Sequence, residues 1–140
     1  MTVKLFTSYK LSATQLQHRV VMAPMTRSRS TGNVPNSLVA EYYGQRSSAG
    51  LIITEGTSPS PNGLGYARIP GIFSKKQRDS WRLTTEAVHA GGACIFVQLM
   101  HCGRVGSILN LPPEAALLAP SAVHMSGLIW TDSQGEQPYD

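Results

Sequence analysis

Three short, almost uninterrupted apolar segments constrain the fold of this chain more than any other feature. They span residues 20–23, 51–54 and 93–97. Apolar and polar residues do not alternate along them, which is the pattern of strands covered on both faces, as in a parallel sheet. We therefore predict three buried, parallel strands.

Parallel strands require long crossover connections, which are usually helices. Between the first two segments, Asn36 or Ser37 indicates a helix start, since both are favoured N-terminal capping residues. Apolar and aromatic residues from Val39 to Tyr43 follow at helical spacing, and Gly50 is typical of the position just past a helix end. The sequence thus predicts a first crossover helix.

A second crossover helix is marked more clearly. Ser74 and Gln77 form the S-x-x-Q pattern in which each side chain satisfies a free backbone N–H group of the other residue. The face that packs on the sheet is predicted to hold Trp81, Thr84 or Thr85, and Val88. Gly91 and Gly92 end the helix. The resulting β-α-β-α-β order indicates an α/β fold, either a doubly wound sheet or an eight-stranded barrel.

Composition narrows the class of protein. The chain has 140 residues, 41% of them apolar and 14% charged, which is typical of a globular domain with a core. No apolar run approaches the roughly 20 residues of a membrane span, and a net charge of +4 is too small and scattered for a nucleic-acid surface. Two cysteines and no signal peptide favour a cytoplasmic location.

We divide the chain into an N-terminal cap over residues 1–19, the β-α-β-α-β unit over 20–106, and a loop or hairpin excursion over 107–140. Residues 128–130 are predicted to form a hairpin strand, and 138–140 show no closing element. A Gly- and Pro-rich stretch over 56–72 predicts a long loop, and such loops are usually functional or mobile.

The chemistry is expected at the carboxyl ends of the three strands, where parallel α/β folds bind ligands. The first strand-to-helix turn reads APMTRSRS, without the G-x-G-x-x-G of dinucleotide-binding folds. This favours a barrel over a Rossmann fold. Thr26 offers a hydroxyl, Gln98 an amide and Gly56 bare backbone, a mixture that suits a planar heterocycle with alternating C=O and N–H groups.

Other candidates are given structural functions. Glu55 has no second carboxylate nearby in the sequence, so we predict a structural acceptor rather than a general base. His101, Cys94 and Cys102 lack the spacing of zinc ligands, so no metal site is predicted. His89 is assigned to the second helix, and His101 to a hydrogen-bonding function in its turn.

Five motifs together resemble the N-terminal part of the old yellow enzyme family. They are APMTRSR at 23–29, EYYGQR at 41–46, LIITEGT at 51–57, PGIFS at 70–74 and VHAGGACIFVQLMHCGR at 88–104. The resemblance implies the first three βα units of a TIM (β/α)8 barrel with an N-terminal cap, truncated. It also implies bound FMN, NADPH or NADH as hydride donor, and reduction of the C=C bond of α,β-unsaturated carbonyl compounds.

The resemblance also implies functions for single residues. Thr26 would hydrogen-bond the flavin O4, Gly56 would lie beside the ring, and Gln98 would bind the pyrimidine edge. Tyr66 would join Thr26 in the substrate pocket, where Met100 replaces the Trp or other large residue of many relatives. The flavin would also contact the backbone of Ala23, Pro24 and Met25.

The family's catalytic residues are not found in this sequence. The carbonyl-binding His-x-x-Asn or His-x-x-His motif, the proton-donating Tyr and the phosphate-binding Arg residues of the family lie on later strands. The resemblance therefore implies that the 140-residue chain alone is inactive. The alternative is a non-catalytic truncated product or an interaction module, with the C-terminal half of the barrel supplied by a separate chain.

Overall fold

A computed structural model describes residues 3–140. Its strands and helices, in chain order, are β1 (Tyr9–Leu11), β2 (Thr14–Leu16), β3 (Val21–Met22), α1 (Ser37–Gly44), β4 (Leu51–Thr57), α2 (Lys75–Ala90), β5 (Cys94–Leu99), β6 (Leu128–Thr131) and β7 (Gly135–Pro138). Strands β3, β4 and β5 form a parallel sheet in that order, with β4 in the middle. The predicted β-α-β-α-β order is confirmed.

Helix α1 begins as predicted but ends earlier. The Asn36 side chain accepts a hydrogen bond from the Val39 N–H at 3.2 Å, so Asn36 is the capping residue. The helix ends at Gly44, six residues before Gly50. Gly50 instead lies against the His18 carbonyl, where a Cβ atom would overlap backbone. The prediction that Gly50 ends the helix was wrong, because this glycine permits a close approach of two chain segments.

Helix α2 matches its predicted start and packing face. The Ser74 hydroxyl accepts from the Gln77 N–H at 3.1 Å, and the Gln77 side chain accepts from the Ser74 N–H at 2.9 Å. Thr84, rather than Thr85, joins the buried face with Trp81 and Val88. The Trp81 indole N–H donates to the Gly71 carbonyl at 3.1 Å, which ties the helix to the preceding loop.

Burial is concentrated on the middle strand and the two helices. The main core cluster consists of Val39, Tyr43, Ile52, Trp81, Val88 and Ala93. The outer strands were also predicted to be buried, and this was wrong: Val21 on β3 is 49% exposed and Phe96 on β5 is 45% exposed. In residues 3–140, each outer strand pairs with β4 only, and helices cover one face of the sheet.

The segment after β4 is packed rather than open. Strand β4 continues to Thr57, so the loop begins at Ser58 and not at Gly56. Its residues Leu64 and Ile69 are buried with Cys102 in a second hydrophobic cluster. The loop therefore supplies a rigid wall beside the carboxyl ends of the strands.

Both predicted peripheral elements form hairpins. Strands β1 and β2 pair antiparallel in the N-terminal cap, and β6 pairs antiparallel with β7. The second hairpin contains the predicted strand at 128–130, and its second strand ends at Pro138, so this segment is the predicted hairpin excursion. No helix in the described part of the chain is long and apolar enough to cross a membrane.

Candidate functional site

A bulge in β4 shapes the carboxyl end of the sheet. Ile53 pairs with Phe96 and Gly56 with Gln98, so two residues of β4 lie opposite a single residue of β5. The hydroxyl of Thr54, one of the two residues in the bulge, accepts a hydrogen bond from the Gln98 N–H at 3.1 Å. This side chain thus keeps the Gln98 N–H paired where the bulge interrupts the ladder.

Glu55, the other bulge residue, places a carboxylate in the interior. It is 1% exposed, and its Oε2 accepts from the Arg27 backbone N–H at 3.0 Å. The Glu55 N–H donates to the Tyr43 hydroxyl at 2.6 Å. Burial raises the pKa of the Glu55 carboxyl, and the Arg27 N–H and guanidinium oppose that rise. The expectation that Glu55 is a structural acceptor is confirmed.

The turn between β3 and α1 runs along the same edge of the sheet. The residues Ala23, Pro24, Met25 and Thr26 are exposed there. The next residue, Arg27, bonds through its backbone to Glu55 and holds its guanidinium 4.9 Å from the centre of the Tyr42 ring. The turn is therefore fixed at Arg27 from both its backbone and its side chain.

Two polar side chains at this edge have free hydrogen-bonding groups. Within residues 3–140, no hydrogen bond involves the Thr26 hydroxyl or the side-chain amide of Gln98, and both residues are exposed. Thr26 follows β3 and Gln98 lies on β5, two strand spacings or about 10 Å across the sheet. The edge thus carries one hydroxyl and one side-chain amide that are exposed and unpaired in the described part of the chain.

Gly56 is buried between these two residues. A Cβ atom on Gly56 would overlap the Sδ and Cε atoms of Met100. Met100, which follows β5, thus uses the space that glycine leaves open. The bare backbone predicted at Gly56 exists, and a flexible thioether side chain packs against it.

Thr26 and Tyr66, the two predicted substrate-binding residues, line one cavity of about 390 Å³. The cavity is lined by Thr26, Ser28, Tyr66, Ala67, Ile129 and Trp130. Burial raises the pKa of the Tyr66 hydroxyl. Ala23, Pro24, Met25, Gly56 and Gln98 do not line this cavity.

The hairpin residues Ile129 and Trp130 were not predicted at the site. Asn110 explains their position, because its side-chain N–H groups donate to the Gly65 carbonyl at 2.9 Å and to the Trp130 carbonyl at 3.0 Å. An ion pair between Arg68 and Asp132, 3.2 Å apart, also joins the loop to the hairpin. Such long-range contacts leave no periodic signal in the sequence. The single available signal was the aromatic residue Trp130 in a short predicted strand.

The residues given structural functions stay apart from this cavity. His101 Nδ1 accepts from the Gly103 N–H at 3.1 Å, which confirms its hydrogen-bonding function in the turn. His89 lies in the last turn of α2. Cys94 and Cys102 are free thiols, and burial raises the pKa of Cys102.

A parallel sheet whose strands are connected by helices, with free polar groups at the carboxyl ends of the strands, is typical of a barrel-type α/β protein. Residues 4–129 match the family model described as NADH:flavin oxidoreductase / NADH oxidase. This chain belongs to that family.

Individual relatives agree with the family assignment. 12-Oxophytodienoate reductase 7 of Oryza sativa subsp. japonica is 47% identical over 113 residues, or 80% of this chain and 29% of that protein. The structure of an old yellow enzyme homologue from Zymomonas mobilis superposes with a TM-score of 0.91 at 43% identity, over 99% of this chain and 38% of that one. The structure of morphinone reductase in complex with tetrahydroNAD superposes with a TM-score of 0.87 at 42% identity, over 99% of this chain and 39% of that one.

The chain therefore spans about two fifths or less of the length of these relatives. Its fold is the N-terminal part of their TIM barrel, with β3, β4 and β5 as the first three barrel strands. The predicted resemblance to the old yellow enzyme family and the barrel fold that it implies are confirmed.

Proposed function

We propose that this chain contributes the flavin-facing part of an FMN-dependent oxidoreductase of old yellow enzyme type. The reaction is the reduction, by NADPH or NADH, of the C=C bond of an α,β-unsaturated carbonyl compound. The observation that carries the proposal is the pair of free polar groups, on Thr26 and Gln98, at the carboxyl ends of a sheet that belongs to this family. Bound FMN would supply hydride transfer.

The donor set fits a flavin. Thr26 would donate its hydroxyl to the C4 carbonyl, and the Gln98 amide, which both donates and accepts, would bind the pyrimidine edge. Gly56 would lie beside the ring between them, with the Met100 thioether packed against its α-carbon. The exposed backbone of Ala23, Pro24 and Met25 would form the ledge along which the ring lies.

The substrate is proposed to enter the cavity between Thr26 and Tyr66. A planar, apolar molecule with one carbonyl group suits a space lined by aromatic rings with a few hydroxyl groups. No nucleic-acid or membrane partner is proposed. The two free thiols favour a reducing, cytoplasmic setting.

We further propose that the 140-residue chain does not catalyse the reaction alone. Its sequence supplies no His-x-x-Asn or His-x-x-His motif to polarise the substrate carbonyl, and negative charge develops on that oxygen in the transition state. The C-terminal part of the barrel would contribute this motif, the proton-donating Tyr and the phosphate-binding Arg residues.

The test is to purify the chain and measure bound flavin by its visible absorbance, then to follow NADPH oxidation with cyclohexenone. We expect no turnover by the chain alone, and turnover after the C-terminal part of a related barrel is added. Stoichiometric FMN with turnover by the 140-residue monomer would refute the requirement for a second part. Absence of flavin from the completed barrel would refute the proposed function itself.

A second candidate function is a non-catalytic interaction module. It is favoured by the apolar side chains exposed on the outer strand β5, where Phe96 is 45% and Leu99 is 60% exposed. Such a strand binds a neighbouring strand readily. A stable complex with the C-terminal part of the barrel that binds no flavin would support this function over the first.

A further inference from the structure

Glu55 is a buried carboxylate for which the proposed reaction has no use. Its backbone is held by three side chains: the Thr54 and Thr57 hydroxyls donate to its carbonyl at 2.8 and 2.9 Å, and the Tyr43 hydroxyl accepts from its N–H at 2.6 Å. These contacts fix the bulge. The direction of the carboxylate is therefore set by the fold rather than by solvent.

The carboxylate in turn holds the turn after β3. Its Oε2 accepts from the backbone N–H of Arg27, and the peptide bond that carries this N–H also contains the carbonyl of Thr26. The Arg27 guanidinium stacks on Tyr42, whose ring also contacts the Arg46 guanidinium at 3.8 Å from its centre. One peptide plane beside Thr26 is thus fixed by a buried acceptor.

The orientation of Thr26 depends on that peptide plane. Residues 23–26 are exposed, and within the described part of the chain the Thr26 hydroxyl has no partner to hold it. If the acceptor at Glu55 is lost, the Arg27 N–H is left unpaired and the peptide can rotate toward water. The hydroxyl then loses its fixed direction.

We propose that Glu55 is a positioning residue, whose carboxylate holds the Thr26–Arg27 peptide so that the Thr26 hydroxyl points at the flavin C4 carbonyl. The inference deepens the proposed function and rests on it. A hydroxyl bond to this oxygen strengthens on reduction, because reduced flavin carries more negative charge there. Loss of the bond lowers the flavin reduction potential.

The test compares Glu55→Met, Glu55→Gln and Thr26→Val in the flavin-loaded protein that contains this chain. A Met side chain fills a volume similar to that of Glu but offers no oxygen to accept the Arg27 N–H, whereas Gln keeps a carbonyl oxygen that can accept it. We expect Glu55→Met to lower the midpoint potential as much as Thr26→Val, the double variant to add nothing, and Glu55→Gln to stay near the parent. Glu41→Met, which removes an exposed carboxylate of the neighbouring surface, is the matched control and should leave the potential unchanged.

The outcomes separate this inference from the function on which it rests. A parent protein without flavin, or a Thr26→Val variant with an unshifted potential, contradicts the proposed function. An unshifted Glu55→Met potential beside a shifted Thr26→Val potential, or additive shifts, overturns the positioning proposal alone. If Glu55→Met does not fold, hydrogen exchange of the Arg27 backbone amide in Glu55→Gln is measured instead. We expect this amide to exchange as slowly as in the parent protein. Faster exchange without a change in the flavin midpoint potential overturns the proposal.

Discussion

Tyr43 and Glu55 place two ionisable groups side by side in the core, and burial raises the pKa of each. Burial disfavours the charged form of each group unless a partner compensates for the lost water. The partners are backbone groups: the Tyr43 hydroxyl accepts from the Glu55 N–H, and the Glu55 carboxylate from the Arg27 N–H. The residues that shape the site are thus stabilised by hydrogen bonds from the main chain.

The Tyr43→Phe variant tests the first of these bonds. It retains the ring but leaves the Glu55 N–H unpaired in the core, so we expect the free energy of unfolding to fall by about 1–3 kcal/mol. Tyr42→Phe is the matched control, since the Tyr42 hydroxyl has no hydrogen bond among residues 3–140 and its ring contacts with arginine persist. Urea unfolding measures both, and equal losses would contradict the assignment.

A pH prediction follows from the raised pKa of Glu55, whose usual value is 4.5. Because the folded state holds this proton more tightly, the stabilisation by the neutral carboxyl is complete below pH 4.5 and is lost as pH rises through the higher pKa of the folded state. The Gln side chain of the Glu55→Gln variant cannot ionise, so this variant should not lose stability over the same pH range. Urea unfolding from pH 4 to 7 should show the parent weakening relative to the Gln variant, and parallel curves would contradict the prediction.

At the scale of elements, the sequence predicted those features of helices and strands that depend on contacts between residues close together in the chain. The capping pair Ser74 and Gln77 forms as predicted, because its hydrogen bonds span three residues. The helix end was wrongly predicted at Gly50, because the glycine is required there by the close approach of the His18 carbonyl, which is distant in sequence. The bulge at Thr54 and Glu55 depends on pairing with a strand some forty residues later, and no periodicity in the segment 51–57 reveals it.

The hairpin β6–β7 is the element that sequence alone could not connect to the site. Trp130 reaches the cavity of Thr26 and Tyr66 because Asn110 and the Arg68–Asp132 ion pair fix the hairpin to the loop. An aromatic ring in the wall limits the size of the ligand. The hairpin is therefore expected to influence which substrates fit.

The Trp130→Ala variant tests this in the flavin-loaded, completed barrel. Removal of the indole enlarges the cavity, so we expect KM for a small cyclic enone to rise several-fold and the preference to shift toward bulkier enones. Leu128→Ala is the control, because Leu128 is an exposed residue on the same face of the same strand and does not line the cavity. Steady-state kinetics with a series of substituted enones measures the shift, and identical profiles for both variants would show that Trp130 does not contribute to the wall.

At the scale of the whole molecule, the described chain has one well-covered face and one exposed apolar face. The helices bury Val39, Tyr43, Trp81 and Val88 against the sheet. Side chains on β3 and β5 remain exposed, as the interior of an unfinished barrel would. The same surface would be covered in a complete barrel, and it leaves the isolated chain prone to association.

The Leu99→Lys variant tests the function of the exposed outer strand β5. Ile95 packs on the helical core and side chains alternate along a strand, so Leu99 lies on the helical face of β5 and not on the face that carries Phe96. Leu99 lies at the end of β5 and is 60% exposed, and covering a leucine of this kind contributes about 1.5–3 kcal/mol, or roughly tenfold or more in affinity. We expect the 140-residue chain to associate with itself in sedimentation experiments and Leu99→Lys to weaken that association, and also binding of the C-terminal part of the barrel, by at least about tenfold. Leu83→Lys on α2 is the matched control, because Leu83 is 53% exposed on a helix rather than on an outer strand. Equal weakening by both substitutions would mean that added charge, rather than the surface of β5, controls association, and no effect of Leu99→Lys would exclude this surface as the contact.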